Sequence, residues 1–533
     1  MLRCFAPFAA ATLPCHFTAG DGDGVPPATT GDDLGLSEVT DTTSVESLLQ
    51  PDETSRDRHL FGPGHKRVIA FDGGGVRGAI SVAFLERIET IFAEHQRKIL
   101  TDYIVAKERQ GIADEKLDAA RKKLNDQFRL ADWFDLVGGT STGALIAGAV
   151  ALGYSTANIK SFYTERAPFI FQAPFWRIPG LQAKFDARAL QQEIDTIVKD
   201  RTLDSDELLT GLSVVTKRID TGSPWILTNN RRSPYWETKA RDPVKNDPGY
   251  IGNRYYKLGT LVRASTAAPH YFDPEIVQIF AEEEKKIVAA AAKEVGDTPE
   301  QLDEPKWIDR LNQKLGRFPR LTMLLTRLRA IRMAEKSKGP NPLTHGLFVD
   351  GGVTPFNNPS FALLMQAIVK PYGVCWPLGP DNITFVSIGT GSYRTKLSFE
   401  ELGWSRNIKV IYKSLMSMMG DTQTLALAQM QWLGECPDPW PINSEIGTLA
   451  DEMPFGHHWF RFMRYDLGLE KPWFLKYLDK DLTEDVVAGY RNMDDPEIIN
   501  TIYDLAVEAA ERQVKVCHFF PDRKNDAAQT GTA

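Results

Sequence analysis

Three features that define other classes of protein are missing from this chain of 533 residues. It contains no run of about 18 apolar residues, so no transmembrane helix is expected. The five cysteines are scattered and form no C-x-x-C pair, so we expect neither a disulfide framework nor a thiolate zinc site, and we predict a cytoplasmic protein. The net charge of −8 argues against a dedicated nucleic-acid binder, because such proteins usually carry a basic domain or stripe.

Residues 1–60 contain little that could build a hydrophobic core. Residues 20–60 are rich in Gly, Asp, Thr, Ser and Pro, which is typical of disordered segments. Near the start of the chain, the basic residue Arg3 precedes a short apolar stretch that Pro7 and Pro14 interrupt. This stretch fits either a poor export signal or a disordered tail. We therefore predict that residues 1–60 are a disordered leader, which could include a weak targeting segment.

Beyond the leader, short apolar runs alternate with stretches of helical pattern. The runs have the length and boundaries of buried strands, and they are RVIAF, FDLVG, LSVVTKRI, PWILTNN, LFVDGG and ITFVSIGTG. Strands that alternate with helices predict an α/β protein with a mostly parallel central sheet and helices on both faces. After the first run, Ile80, Phe84, Ile88 and Ile91 recur at helical spacing, and residues 97–130 predict an exposed helical excursion.

Two segments exceed what a minimal α/β core needs. Residues 279–340 predict a helical insertion whose first half is acidic and whose second half is basic. The last part of the chain is rich in tryptophan and mostly helical in pattern. We predict that residues 396–533 form a helical C-terminal extension that packs on the core.

The sequence DGGGVRG follows the first strand and precedes a helix. Gly73, Gly75 and Gly78 match the G-x-G-x-x-G pattern of dinucleotide-binding loops, but no second strand with an acidic end follows at the expected distance. Ala79 stands where a phosphate-binding loop of the Walker type would require lysine. The loop therefore either makes a tight turn or collects backbone amides for an anion, which could be the oxyanion of an ester under attack.

A candidate nucleophile lies in GGTSTG, where Gly139, Ser141 and Gly143 match G-x-S-x-G. An apolar strand precedes this segment and a helix of small residues follows it. A serine on such a sharp turn exposes its hydroxyl, and the flanking glycines avoid collisions across the turn. The alternative is that the serine or threonine only caps the helix.

The serine hydroxyl needs a base, and two types of residue could supply it. Asp350 directly follows an apolar strand on a glycine turn, at the sheet edge where open α/β proteins build their sites. The alternative for this residue is an ordinary Asp-Gly turn. The histidines that could serve instead are His270, His345, His457, His458 and His518.

Taken together, the motifs resemble those of the patatin-like acyl hydrolases. Four segments match in the family's order and span about residues 66–395, so we predict a catalytic domain over residues 61–395. The segments are DGGGVRG at 72–78, GTSTG at 139–143, RASTAAPHYF at 263–272, and DGG at 350–352 with NNP at 357–359. The resemblance implies a three-layer α/β/α sandwich and the hydrolysis of acyl lipids such as phospholipids.

The resemblance also implies a role for each matched residue. It assigns Ser141 as nucleophile and Asp350 as base, without a catalytic histidine, metal or cofactor. The amides of Gly73, Gly74 and Gly75 would form the oxyanion hole. Within the same loop, Arg77 would either brace the glycines or contact a lipid phosphate. Gly139 and Gly143 would shape the elbow.

Partners follow from the lipid substrate that the resemblance implies. Residues 314–338 form a basic amphipathic pattern that either lies on an anionic membrane surface or packs on the core with a solvated basic face. An activating small molecule or protein is conceivable because some relatives are switched on by a signal, but no motif identifies it. The competing hypotheses are a histidine-assisted α/β-hydrolase esterase and a signal-activated lipid-binding effector.

Overall fold

A computed structural model describes residues 55–170, 187–239, 249–269, 271–279, 345–395 and 406–521, with Val45, Leu48, Leu49 and Phe185. The strands are β1 (Lys66–Phe71), β2 (Leu136–Thr140), β3 (Gly211–Arg218), β4 (Ser223–Thr228), β5 (Glu275–Gln278), β6 (His345–Asp350), β7 (Ile383–Ile388), β8 (Gly434–Glu435) and β9 (Phe460–Tyr465). The α-helices are α1 (Ser55–Phe61), α2 (Gly78–Arg109), α3 (Glu115–Asn125), α4 (Thr142–Ala151), α5 (Thr156–Ser161), α6 (Ala167–Ile170), α7 (Ala187–Val198), α8 (Leu258–Ser265), α9 (Ser360–Ile368), α10 (Arg406–Leu433), α11 (Lys471–Leu478), α12 (Glu484–Tyr490), α13 (Ile499–Gln513) and α14 (Val516–Phe519).

The strands form one mixed sheet in the order β5-β6-β3-β2-β1-β7-β9-β8, with β4 paired to β3. Its centre is parallel, since β1 pairs with β2 and β7, β2 pairs with β3, and β7 pairs with β9 in parallel. The antiparallel pairs are confined to β3–β4, β3–β6 and β5–β6. The carboxyl ends of β1, β2, β7 and β9 therefore meet at one edge of the sheet.

Strand β1 shows why the sheet is covered on both faces. Successive side chains of a strand point to opposite faces. Accordingly, Ile69 and Phe71 belong to one hydrophobic core with residues of α2, α4 and α13. Val68 and Ala70 belong to a second core with residues of α9 and α10. The protein is thus a three-layer α/β/α sandwich with a mostly parallel sheet, which confirms the predicted fold class.

The predicted helical stripe after β1 is also confirmed. Ile80, Phe84, Ile88 and Ile91 lie on α2 and are all buried. The charged stretch that was predicted to be a helical excursion forms the end of α2 and all of α3.

The predicted end of the leader is too late in the chain. Helix α1 lies inside the segment predicted to be disordered, and its Arg56 and Leu60 are buried. The Nη1 of Arg56 donates to the carbonyl of Leu203 over 3.2 Å. Hydrophobic burial and this long-range contact order the segment despite its polar composition. Residues 1–44 lie outside the described residues.

The C-terminal extension does more than pack on the core. It contributes β8 and β9, which extend the central sheet beyond β7, so the predicted boundary at residue 395 does not divide the sheet from the extension. The segment FRFMRY that forms β9 was not recognised as a strand. Residues 280–340 of the predicted insertion, including the basic stretch 314–338, lie outside the described residues. Within the described part of the chain, no helix is long and apolar enough to cross a membrane.

Candidate active site

Ser141 lies on a sharp turn between β2 and α4. Its backbone has φ 57° and ψ −126°, a conformation that costs a non-glycine residue about 1–3 kcal/mol. The side chain makes no hydrogen bond that caps the helix, so the capping alternative is wrong. A Cβ on Gly139 would collide with the backbone of Gly143, and one on Gly143 would collide with the carbonyl of Phe71. Gly139 is therefore required for the turn itself, and Gly143 for its packing against β1.

The sheet register brings Ser141 and Asp350 together. Thr140 at the end of β2 pairs with Val215 of β3, and Asp350 at the end of β6 pairs with the next residue, Thr216. The hydroxyl of Ser141 donates to Oδ2 of Asp350 over 2.6 Å. The other carboxylate oxygen, Oδ1, accepts from the amide of Gly352 over 2.6 Å. Both side chains are thereby oriented for proton transfer between them.

The carboxyl of Asp350 sits in a weakly solvated position. Burial raises the pKa of Asp350 to about 6, while the hydrogen bonds from Ser141 and Gly352 and the charge of Arg263 lower it. A base with a pKa near 6 is ionised at neutral pH and holds a proton more readily than a solvated aspartate. Arg263 is itself buried and donates to the carbonyl of Asp273 over 2.9 Å.

Ser265 holds the turn that carries Ser141 in place, a role that was not predicted from the sequence. Its hydroxyl accepts from the amide of Ser141 over 2.8 Å and donates to the carbonyl of Val215 over 2.6 Å. It is fully buried at the end of α8. The segment RASTAAPHYF was recognised as a motif, but nothing in its sequence indicates which hydroxyl meets the elbow.

The glycine loop lies directly beside the serine, but Gly73 is already engaged. A Cβ on Gly73 would lie 3.1 Å from the Cβ of Ser141. The amide of Gly73 donates to the carbonyl of Asn357 over 3.2 Å, and its carbonyl accepts from the hydroxyl of Thr390 over 2.8 Å. Because one N–H serves one strong acceptor, Gly73 is not available as the oxyanion donor that was predicted.

The next two glycines keep their amides available. Neither Gly74 nor Gly75 has an acceptor for its N–H among the described residues. Gly75 begins a short 3₁₀ helix, whose first amides have no partner inside the helix. Its φ of +62° also favours glycine. A Cβ on Gly74 would collide with Thr390.

Arg77 lies inside the protein. It is 5% exposed, and its guanidinium carbon lies 5.3 Å from the centre of the Tyr393 ring. Its Nε and Nη1 have no hydrogen-bond partner among the described residues. Of the two roles considered for Arg77, this position favours bracing of the loop over contact with a lipid phosphate.

A buried ion cluster ties the glycine loop to the C-terminal extension. Nη2 of Arg464 on β9 donates to Asp72 over 2.7 Å and to Asp466 over 2.8 Å. Nη1 of Arg464 donates to the hydroxyl of Ser387 over 2.8 Å. Asp72 immediately precedes Gly73 and is 1% exposed. The sequence signal for this cluster is the charged pair in RYD, where β9 ends.

The described histidines do not hydrogen-bond to Ser141. Among those named as possible bases, His518 hydrogen-bonds to Tyr465 and Asp438, His457 to the carbonyl of Phe455, and His345 begins β6 far from the dyad end of that strand. His270 lies outside the described residues. Among the described residues, no group of three or more His, Cys, Asp or Glu is placed to hold a metal ion.

The fold and this geometry have the chemical parts of an acyl-transfer site. A strained serine at the carboxyl edge of a mostly parallel sheet is hydrogen-bonded to a buried carboxylate, beside a loop with free amides. The chain belongs to the patatin-like phospholipase family, whose model matches residues 69–364. Every residue to which the family resemblance assigns a role in the site lies inside that range.

Three curated relatives show how far the similarity extends. Patatin group A-3 of Solanum tuberosum is 29% identical over 36% of this chain and 45% of its own length. The cUMP-AMP-activated phospholipase of Escherichia coli is 29% identical over 44% of this chain and 53% of its own length. The cGAMP-activated phospholipase of Vibrio cholerae is 25% identical over 39% and 49%. The chain thus spans about half the length of the curated relatives it matches.

Proposed function

We propose that this protein hydrolyses fatty-acyl esters of glycerophospholipids through a covalent intermediate on Ser141. The observation that carries the proposal is the hydrogen bond of 2.6 Å from the Ser141 hydroxyl to Asp350. Membership of the patatin-like phospholipase family supports a lipid ester as the substrate. The predicted catalytic domain over residues 61–395 would act together with β8 and β9, which the extension contributes to the same sheet, and the buried ion cluster joins β9 to the glycine loop.

In the first half of the reaction, Asp350 takes the hydroxyl proton as Ser141 attacks the ester carbonyl. The new C–O bond gives a tetrahedral oxyanion. As this intermediate collapses, the bond to the alcohol breaks and Asp350 returns the proton to the leaving oxygen. The acyl group is then an ester of Ser141.

In the second half, Asp350 takes a proton from water, which attacks the acyl carbon. Collapse of the second tetrahedral intermediate breaks the bond to Ser141, whose oxygen recovers the proton from Asp350. The products are the fatty acid and the regenerated dyad. A lysophospholipid is the alcohol product when the substrate is a diacyl lipid.

The amides of Gly74 and Gly75 would hold both oxyanions, with Gly73 anchoring the loop. Loss of one such donor typically costs about 3–4 kcal/mol of transition-state stabilisation. The bonds from Gly73 to Asn357 and Thr390 fix the loop before substrate arrives, so the loop does not have to reorganise during the reaction.

We also propose that a small molecule activates this protein. Two bacterial relatives are named for activation by cUMP-AMP and by cGAMP. Fatty-acid release is therefore measured with and without such cyclic nucleotides. If the wild-type protein releases fatty acid only when a cyclic nucleotide is added, it is an activated hydrolase and not a lipid-binding effector without turnover.

Ser141→Ala is expected to abolish fatty-acid release from phospholipid vesicles, whether or not an activator is needed, because it removes the nucleophile. The measurement is free fatty acid over time with a range of phospholipids. Ser161→Ala is the matched control, since this serine is only partly buried on α5 and its hydroxyl donates to the carbonyl of Asn158. It is expected to keep wild-type activity.

Two results would contradict the proposal. Release that continues in Ser141→Ala would exclude this nucleophile. Release that stops in His270→Ala and continues in Asp350→Asn would favour the histidine-assisted esterase instead. If wild-type protein releases no fatty acid under any condition, the hydrolase proposal fails as a whole.

A further inference from the structure

A cavity of about 550 Å³ lies beside the carboxyl end of β9, and residues of the C-terminal part of the chain build it. Its walls come from α10, α11, α13 and the segments that follow β7, β8 and β9. All its lining residues lie between Ser392 and Gln513, beyond the range 69–364 that the family model matches. The family similarity therefore assigns no role to this cavity.

Two residues of the cavity wall are close in sequence to residues that contact the active site. Gly420 lines the cavity, and its neighbour Met419 reaches within 3.4 Å of the position that a Cβ of Gly352 would occupy. Ser392 also lines the cavity and follows closely after Thr390, which holds the glycine loop. The cavity wall is thus one residue in sequence from a side chain that contacts the turn of Asp350, and two residues from the hydroxyl that anchors the glycine loop.

One wall of the cavity is aromatic. The rings of Trp440 and Trp473 are stacked with centroids 6.4 Å apart, and Trp473 lies 5.1 Å from Tyr477. The ammonium of Lys476 already lies 4.7 Å from the centre of the Tyr477 ring. Neighbouring aromatic rings attract cations through their negative faces, and groups of them are a recurring recognition site for quaternary ammonium.

The charges of the cavity divide into paired and unpaired groups. Asp438 pairs with Lys515 and His518. In contrast, the Glu470 carboxylate has no cationic side chain as partner within the part of the chain that the structure describes. The same part holds no acidic partner for the guanidinium of Arg394, whose backbone amide donates to Glu470 over 3.2 Å. The cavity thus offers one free anion and one free cation close together, beside aromatic rings.

We propose that this cavity binds the zwitterionic headgroup of the phospholipid substrate. The ammonium of the headgroup lies against the aromatic wall and the Glu470 carboxylate, and the phosphodiester contacts the Arg394 guanidinium. Choline and ethanolamine lipids carry both charges, whereas phosphatidylglycerol carries only the phosphate. The inference rests on the proposed function, since it names the substrate class of the same site.

Headgroup preference tests the inference through turnover. Phosphatidylcholine, phosphatidylethanolamine and phosphatidylglycerol with identical acyl chains are compared in mixed micelles of a neutral detergent. We expect wild-type kcat/KM to be about tenfold higher for the two zwitterionic lipids. A cation–aromatic contact together with an ion pair typically changes affinity by about this factor. Glu470→Gln is expected to remove this preference, and Glu445→Gln, which changes an exposed glutamate outside the cavity, is expected to retain it.

A second measurement does not need turnover. Binding of soluble phosphocholine is measured by titration calorimetry with wild-type protein and two glycine variants. A Cβ on Gly420 meets no atom within 4 Å, and the same is true of Gly489 on α12, so a side chain can begin at either position without a collision at its Cβ. Gly420→Phe fills the cavity and is expected to weaken phosphocholine binding at least about tenfold, while Gly489→Phe is expected to bind as wild type does.

The outcomes separate this inference from the proposed function. Equal rates for all three lipids, or a preference that survives Glu470→Gln, overturn the headgroup site and leave the hydrolase proposal standing. If no lipid is hydrolysed, the hydrolase proposal fails. Phosphocholine binding then tests by itself whether the cavity is a headgroup site. Binding that Gly420→Phe does not weaken, or no binding to wild-type protein, overturns the inference.

Discussion

Asp350→Asn is expected to lower kcat by about 10²- to 10⁴-fold, which is the usual contribution of a positioned general base. Asparagine has nearly the same shape and can still accept the hydrogen bond from Gly352, so the turn is expected to survive. It cannot take the proton of Ser141. The measurement is steady-state fatty-acid release, with thermal unfolding to show that the variant is folded.

Asp220→Asn is the matched control for this change. Asp220 lies in the β3–β4 turn, pairs with Arg218 and accepts from the amide of Leu347 on β6. It therefore neighbours the strand that carries Asp350 without touching the dyad, and kcat is expected to stay near the wild-type value. Equal losses in both variants would mean that Asp350 acts only through the position of β6.

The pH profile is the companion readout for Asp350. Burial raises its pKa to about 6, and the base works in its ionised form. Activity is therefore expected to be low below pH 6, to rise through that region and to level off above it. A profile that stays flat down to pH 4 would contradict the assignment of Asp350 as base.

Arg464→Leu is expected to destabilise the fold by about 3–5 kcal/mol, because removal of one partner leaves buried charges uncompensated. Asp72 and Asp466 are each 1% exposed and would face one another without a cation. The free energy of unfolding in urea measures this effect. Because Asp72 precedes the glycine loop, kcat is expected to fall as well.

Arg461→Leu provides the control on the same strand. Arg461 pairs with Glu435, which is 40% exposed, and partly exposed ion pairs contribute at most about 1 kcal/mol. A similar loss of stability in the two variants would show that the strand tolerates no leucine at either position. In that case the buried ion cluster would contribute no more to the free energy of unfolding than the partly exposed pair does.

The local parts of the site could be predicted because each is encoded in one short segment. Strand, turn and helix follow one another around Ser141, and glycines stand where a side chain would collide. The partnership with Asp350 followed from the family resemblance, while the physical reason appears only in the register of β3, where neighbouring residues pair with the ends of β2 and β6.

The parts that were missed depend on contacts between distant segments. Gly73 was predicted to hold the oxyanion because its amide could not be distinguished from its neighbours, and only the fold shows that Asn357 occupies it. Arg464 and Ser265 lie 392 and 124 residues from their partners Asp72 and Ser141. Contacts between residues so far apart in the chain produce no periodic pattern from which they could be predicted.

Trapping of the acyl-enzyme tests the central claim most directly. Wild-type protein is mixed with a short-chain activated ester, and the reaction is quenched in acid. The protein is then digested, and the mass of the peptide that contains Ser141 is measured by mass spectrometry. The proposed mechanism predicts that this peptide gains the mass of the acyl group, and that Ser141→Ala gains none anywhere. Acylation of a different residue during turnover, or product formation by Ser141→Ala, would contradict it.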